Sequence, residues 1–151
     1  VAQAKKLAND NHLVYVLMGD GEQEEGQIWE AAMYAPAKNV DNIVAIVDYN
    51  KKQIDGPTDD VLSLGDLRAK YESFGWKVWE CNGNDMQEVV DTFNKIRENA
   101  HKGQSQILLA HTEMGMGVDF MMGTHKWHGV APNDEQAANA LSQLKETLGD
   151  Y

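Results

Sequence analysis

Three short stretches hold residue types that could do chemistry together: Gly19-Asp20-Gly21, Asp48-Tyr49-Asn50, and a glycine- and methionine-rich run over 112–132 that contains His125 and His128. A carboxylate between two glycines at a strand end can project its oxygens upward, while the glycines let a ligand or another backbone approach closely. Asp20 is thereby a candidate metal ligand or acid–base group. The same tripeptide also serves as a plain turn, because short motifs recur by accident. Asn50 follows Asp20 by thirty residues, the length of one helix plus one buried strand, so the two would stand at the tips of neighbouring strands. A pair of oxygen donors so placed suits magnesium, a hard cation that takes one or two protein carboxyl or carbonyl groups and fills the rest of about six positions with phosphate oxygens and water.

The elements that must position these residues follow from hydrophobic patterning. Apolar runs of strand length occupy 13–18, 43–47, 78–81 and 107–110, and the first two and the last are nearly continuous. Such blocks predict strands buried on both faces of a parallel sheet. Helix-period segments lie between them at 27–38, 67–74 and 86–102, with a terminal one at 134–148. Asn84-Asp85 and Asn133-Asp134 carry N-cap chemistry, and Gly75 and Gly103 suit helix exits. Alternating strands and helices predict an α/β fold, a doubly wound, mainly parallel sheet flanked by helices. In such sheets ligands bind beyond the carboxyl ends of the strands, and all three chemical stretches follow strands. Three loops thus converge on one ligand-binding edge.

Size and charge bound the reading. A chain of 151 residues fits a single domain, and no internal repeat or Pro/Gly/Ser linker divides 1–151. It opens on Val1 within a helix-like stretch, so the domain is expected to be partial at its N-terminus. A net charge of −11 repels the phosphate backbone that dominates nucleic-acid affinity, which argues against such a partner. No apolar run reaches the roughly 20 residues that cross a bilayer. Cys81 is the single cysteine and no signal-peptide pattern is evident, so a cytoplasmic setting is expected. In so acidic a chain, any phosphorylated ligand needs local neutralisation by a metal, helix N-termini or a few placed His and Lys.

Gly19-Asp20-Gly21, Glu25-Gly26, Glu30-Ala31, Asp48-Tyr49-Asn50 and Ile54-Asp55-Gly56 together resemble the thiamine-diphosphate motif in its transketolase form. Downstream, Gly115-Met116-Gly117 and His125-Lys126-Trp127-His128-Gly129 resemble the family's glycine and histidine loops in the same order. The resemblance runs from about Tyr15 to about Gln136, and it implies the diphosphate-binding domain of a thiamine-diphosphate enzyme. Carried over by position, it implies that Asp20, the Asn50 side chain and the Lys52 carbonyl bind magnesium. Gly19 and Gly21 would approach the diphosphate, with the Gly21 amide in contact, and Ile54 would pack on the cofactor ring. Lys52 stands where the family often has an aliphatic residue, which a backbone ligand tolerates.

His128 corresponds to a family histidine between the cofactor diphosphate and a sugar-phosphate substrate, where a donor that can be charged near neutral pH offsets phosphate charge. A loop histidine capping nearby carbonyls is its bland alternative. Glu25 and Glu30 match glutamates that approach the family's two-fold axis and link paired active sites, giving Glu25 a catalytic candidacy. Acidic residues at a helix N-terminus, favoured by the helix dipole, explain them equally well. The methionines of the 112–132 run receive no catalytic role. The family's activating glutamate belongs to a separate pyrimidine-binding domain, so the resemblance implies a C-terminal subunit or domain as partner, in a dimer or heterotetramer. The close of the sequence resembles the amino-terminal subunit of a split bacterial transketolase, transferring a two-carbon ketol unit between sugar phosphates. A 2-oxo-acid dehydrogenase alpha subunit, a deoxyxylulose-phosphate synthase and a non-catalytic magnesium-binding α/β module remain the alternatives. The first two are not expected to show Ile54-Asp55-Gly56 together with His128-Gly129.

Overall fold

The computed structural model describes residues 1–145. After a short helix α1 (Ala2–Leu7) the chain forms strand β1 (Val14–Gly19), a 3₁₀ turn (Gly21–Glu24), helix α2 (Gly26–Ala37) and strand β2 (Ile43–Tyr49). A small hairpin of β3 (Lys52–Gln53) and β4 (Gly56–Pro57) leads through α3 (Thr58–Leu62) and α4 (Leu67–Phe74) to β5 (Lys77–Asn82), α5 (Met86–Glu98), β6 (Gln106–His111) and α6 (Asp134–Gln143). The four long strands make one sheet in the order β1-β2-β6-β5, with every pair parallel. All four carboxyl ends therefore lie on one edge, as the strand and helix order predicts.

Two cores sandwich the sheet. Met18, Ala45, Val47, Leu109 and Val78 point toward α2 and α4, where Ala32, Ala35, Leu67, Tyr71 and Trp76 meet them. Val44, Leu108, Ala110 and Cys81 point the other way onto Ile96, Val89 and Phe93 of α5. The alternation along β2 and β6 is the period-2 geometry of a strand buried on both sides. Right-handed crossovers explain the layering: β1 to β2 advances along the sheet, β5 to β6 returns, and the two connections fall on opposite faces.

The structure corrects the sequence reading at three places. The apolar run at 13–18 predicts burial on both faces, but β1 is an edge strand and Leu17 is 73% exposed; among the described residues only β2 pairs with it. The 86–102 helix stops at Glu98, because Asn99 caps it and His101 and Gly103 turn left-handed at φ 59° and 82°. The 134–148 helix stops at Gln143, with Leu144 extended, and 146–148 lie outside the described residues. Two helix starts and one helix end match expectation. The Asp85 carboxylate accepts from the Gln87 and Glu88 amides, Asn133 forms a reciprocal capping box with Gln136, and Gly75 ends α4 at φ 96°.

Candidate active site

Gly19 of β1 pairs with Asp48 of β2 in the parallel ladder, and the Asp20 amide donates to the Asp48 carbonyl at 3.2 Å. The two tips are thus fixed in register, and Asp20 is 1% exposed. A carboxylate buried this deeply needs partners. One oxygen accepts from the Gly21 amide at 2.8 Å, and the other accepts a very short bond from the Lys51 amide. The second bond requires a sharp bend after β2, which Lys51 provides by adopting φ +61°. That left-handed conformation costs an ordinary residue about 1 kcal/mol. The bend is stabilised by the Asn50 side chain, whose Oδ1 accepts from the Lys52 amide at 2.9 Å, and by the Lys51 ammonium 5.7 Å from the Tyr49 ring centre. Burial pushes the Asp20 carboxyl above its ordinary range and the Asp48 charge adds to this, while the Lys51 and Gly21 amides oppose both.

From the bend the chain enters the β3–β4 hairpin, which folds back over the first loop. A Cβ on Gly21 would lie 3.0 Å from the Gln53 Cβ, so the glycine is needed for this close approach. Gln53 donates to Glu24 at 2.7 Å across the same contact. Beneath, the 3₁₀ turn buries Gln23 completely. Its amide donates to the Gly19 carbonyl at 3.2 Å, and its carbonyl accepts from the Tyr71 hydroxyl at 2.6 Å.

These elements enclose a cavity of about 400 Å³ lined by Gly19, Asp20, Gly21, Asn50, Lys52, Ile54 and His128, every cofactor and metal candidate named from the sequence. His128 arrives from the loop after β6, far along the chain, and stands exposed at the mouth. Ile54, at the tip of the hairpin, is 69% exposed, an apolar side chain left free to cover a ligand. Glu25 is not brought to the cavity. It is the exposed N-cap residue of α2 with no side-chain capping bond, and Glu30 is exposed one turn further on.

Several lining residues received no individual site role from the sequence. Glu22, Asp48 and Asp55 also face the cavity, Glu22 accepting from the Gly19 amide at 3.1 Å and Asp48 accepting a very short bond from the Thr112 hydroxyl. Asp48 and Asp55 stand inside stretches already singled out in the sequence, and Glu22 directly follows Gly21, which was the available signal. Glu113 received no role either. Its Oε1 accepts from Lys52 Nζ at 3.1 Å and from the Gly123 amide at 2.8 Å. Those two contacts, the Gly123 amide foremost, lower its carboxyl below the ordinary range.

The family model described as "Transketolase, thiamine diphosphate binding domain" matches residues 3–149. The chain belongs to the transketolase family. Similar proteins include one of the subunits of the apulose-4-phosphate transketolase of Phocaeicola vulgatus, 42% identical over 148 residues, which is 98% of this chain and 52% of that protein. A subunit of the 6-deoxy-6-sulfo-D-fructose transketolase of a Clostridium strain is 34% identical over 146 residues, 97% of this chain and 52% of that one. Among solved structures, the transketolase of Campylobacter jejuni matches with a TM-score of 0.82 at 27% identity, covering 94% of this chain and 22% of that one. The chain spans about half the length of the two curated relatives.

The donor set of this transketolase domain fits a magnesium-bound diphosphate. Among the described residues no three His, Cys, Asp or Glu side chains gather into a metal-binding group, and a cation held at this edge would have mixed oxygens to draw on. Asp20 and Asn50 each use side-chain oxygen lone pairs on backbone amides, and each carboxylate or amide oxygen has a second to offer. Four carboxylates, Asp20, Glu22, Asp48 and Asp55, line the cavity against Lys52 and His128. A bare diphosphate would be repelled there, whereas one neutralised by a divalent cation would not.

Proposed function

We propose that this chain is the diphosphate- and magnesium-binding part of a transketolase, working with a domain or subunit that binds the pyrimidine end of thiamine diphosphate. The observation that carries the reading is the acidic cavity at the joined tips of β1 and β2, with a buried carboxylate at its floor. Asp20 supplies the charge that holds the cation, and the Asn50 amide oxygen and Lys52 carbonyl supply neutral donors, the combination magnesium favours beside phosphate oxygens. Gly19 and Gly21 leave the floor open to the diphosphate, and Ile54 covers the ring that follows it. Bound there, thiamine diphosphate supplies the carbanion chemistry that accepts a two-carbon ketol unit from one sugar and gives it to another.

His128, at the mouth, donates to phosphate oxygens of the incoming sugar and offsets their charge. The exposed Glu25 and Glu30 suit a surface that meets a second copy or another subunit, where carboxylates can couple paired sites. Sugar phosphates are the substrate class this arrangement supports, in line with the relative named for apulose 4-phosphate.

The test is direct. Asp20→Ala in the complete protein, with its pyrimidine-binding partner, is expected to lower magnesium-dependent thiamine-diphosphate affinity by about a hundredfold or more, as loss of a buried charge contact should. Asn50→Ala should weaken it by less. Isothermal calorimetry at saturating magnesium measures both, with thermal unfolding run alongside to confirm that the variants fold. Unchanged affinity in a folded Asp20→Ala protein removes the metal site.

A further inference from the structure

We propose that the Glu113 carboxylate is a positioning group that bolts the histidine-bearing loop to the metal-binding bend, so that the cation side and the phosphate side of the site are set by one side chain. The inference rests on the reading of the cavity given above and deepens it. Glu113 is the second residue beyond β6, and its backbone is held by its own amide, which donates to Asn84 Oδ1 at 2.7 Å. From there its Oε1 takes two donors from separate segments of the chain. Lys52 Nζ, 3.1 Å away, belongs to the residue whose carbonyl is assigned to the cation, and the Gly123 amide, 2.8 Å away, belongs to the loop that carries His128 five residues later.

Two further observations make the contact a coupling rather than a surface pair. The Lys52 side chain is 16% exposed, which shields its end of the pair from solvent, while the Glu113 side chain is 38% exposed. Beyond Gly123 the loop is self-braced, because the Trp127 indole donates to the Phe120 carbonyl at 2.9 Å and stacks edge-on to the Phe120 ring at 5.3 Å. Fixing Gly123 therefore limits where Trp127, and His128 beside it, can stand. It also gives Lys52 a role its backbone carbonyl does not: the side chain reaches to the carboxylate that holds the loop.

The variants Glu113→Gln, Lys52→Met and Lys52→Arg, made in the complete protein with its partner, separate the parts. Lys52→Met keeps the backbone carbonyl and removes only the ammonium. Amide hydrogen exchange over 123–129, measured without cofactor, reads the latch alone. It is expected to rise about tenfold in Glu113→Gln and Lys52→Met and to stay near the parent rate in Lys52→Arg, which restores the pair. Steady-state kinetics with a phosphorylated ketose read the positioning: KM is expected to rise about five- to tenfold in the Glu113 variant with kcat changed less than about twofold, since uniform binding is what a displaced phosphate donor loses. Because a glutamine Oε1 can still accept from both donors, Glu113→Ala is run beside Glu113→Gln, and parent-like exchange in Glu113→Ala overturns the latch. Faster exchange with unchanged KM overturns the positioning role. If the parent protein failed to bind thiamine diphosphate, the functional reading would fall, and the exchange data would still decide whether Glu113 holds the loop.

Discussion

A fully buried glutamine is stable only when both ends of its amide are used, and Gln23 meets that condition by linking the Gly19 carbonyl to the Tyr71 hydroxyl. It braces the floor of the cavity from beneath without lining it. Tyr71→Phe should cost about 1–2 kcal/mol by leaving the Gln23 carbonyl unpaired, and Gln23→Leu should cost at least as much by orphaning the hydroxyl. The double variant should be less damaged than the sum, with a coupling of about 1 kcal/mol. Urea unfolding of the four proteins measures it, and additive losses would mean that both groups find other partners. None of this was legible beforehand, because a glutamine amid Glu22, Glu24 and Glu25 reads as part of a solvated acidic turn. Asp20 and Asn50 were legible because their separation itself encodes strand adjacency. The left-handed Lys51 between them was not, since a lysine side chain says nothing about its backbone.

At the level of elements, the pairing of β5 with β6 ends at a contact that permits no side chain. A Cβ on Gly83 would come within 2.5 Å of Thr112 Cγ2 and 3.1 Å of the Ala110 Cβ, while the Gly83 amide donates to the His111 carbonyl at 2.7 Å. Gly83→Ala must therefore push apart the loops that hold Asn84 and Thr112. It should destabilise by about 1–3 kcal/mol and lower cofactor affinity as well, because Thr112 bonds to Asp48 at the cavity. Chemical denaturation and calorimetry on the same variant test the two effects together; full stability would show that the turn can yield. Helices and long strands were readable from side-chain caps and apolar runs, and the β3–β4 hairpin was not. Two-residue strands are too short to carry a period, and their place is set by Gln53 lying over Gly21.

As a whole molecule, the domain presents one finished face and one unfinished edge. Tyr15, Val16 and Leu17 lie exposed along β1, an apolar border of the sort that proteins normally cover. Together with a cavity that accounts for one end of the cofactor only, this predicts that the 151-residue chain alone shows no ketol transfer with thiamine diphosphate and magnesium. Activity should appear only when the complete protein is assembled with a chain or segment bearing the pyrimidine-binding domain. Robust turnover by the isolated chain, free of contaminating enzyme, would contradict it. The parallel α/β architecture was legible in the sequence, but the edge position of β1 was not, because an apolar run reports what a strand needs rather than what lies beside it. The strand order has a consequence in time. β6 follows the other three strands of the sheet along the chain and lies between β2 and β5, so during synthesis β2 and β5 must wait with open edges until it emerges. At about 5–20 residues per second, the 56 residues from Asn50 to Ser105 impose a pause of several seconds. The loop carrying Glu113 and His128 is made only after that strand, so the nascent domain closes its sheet and completes its cavity in one late event.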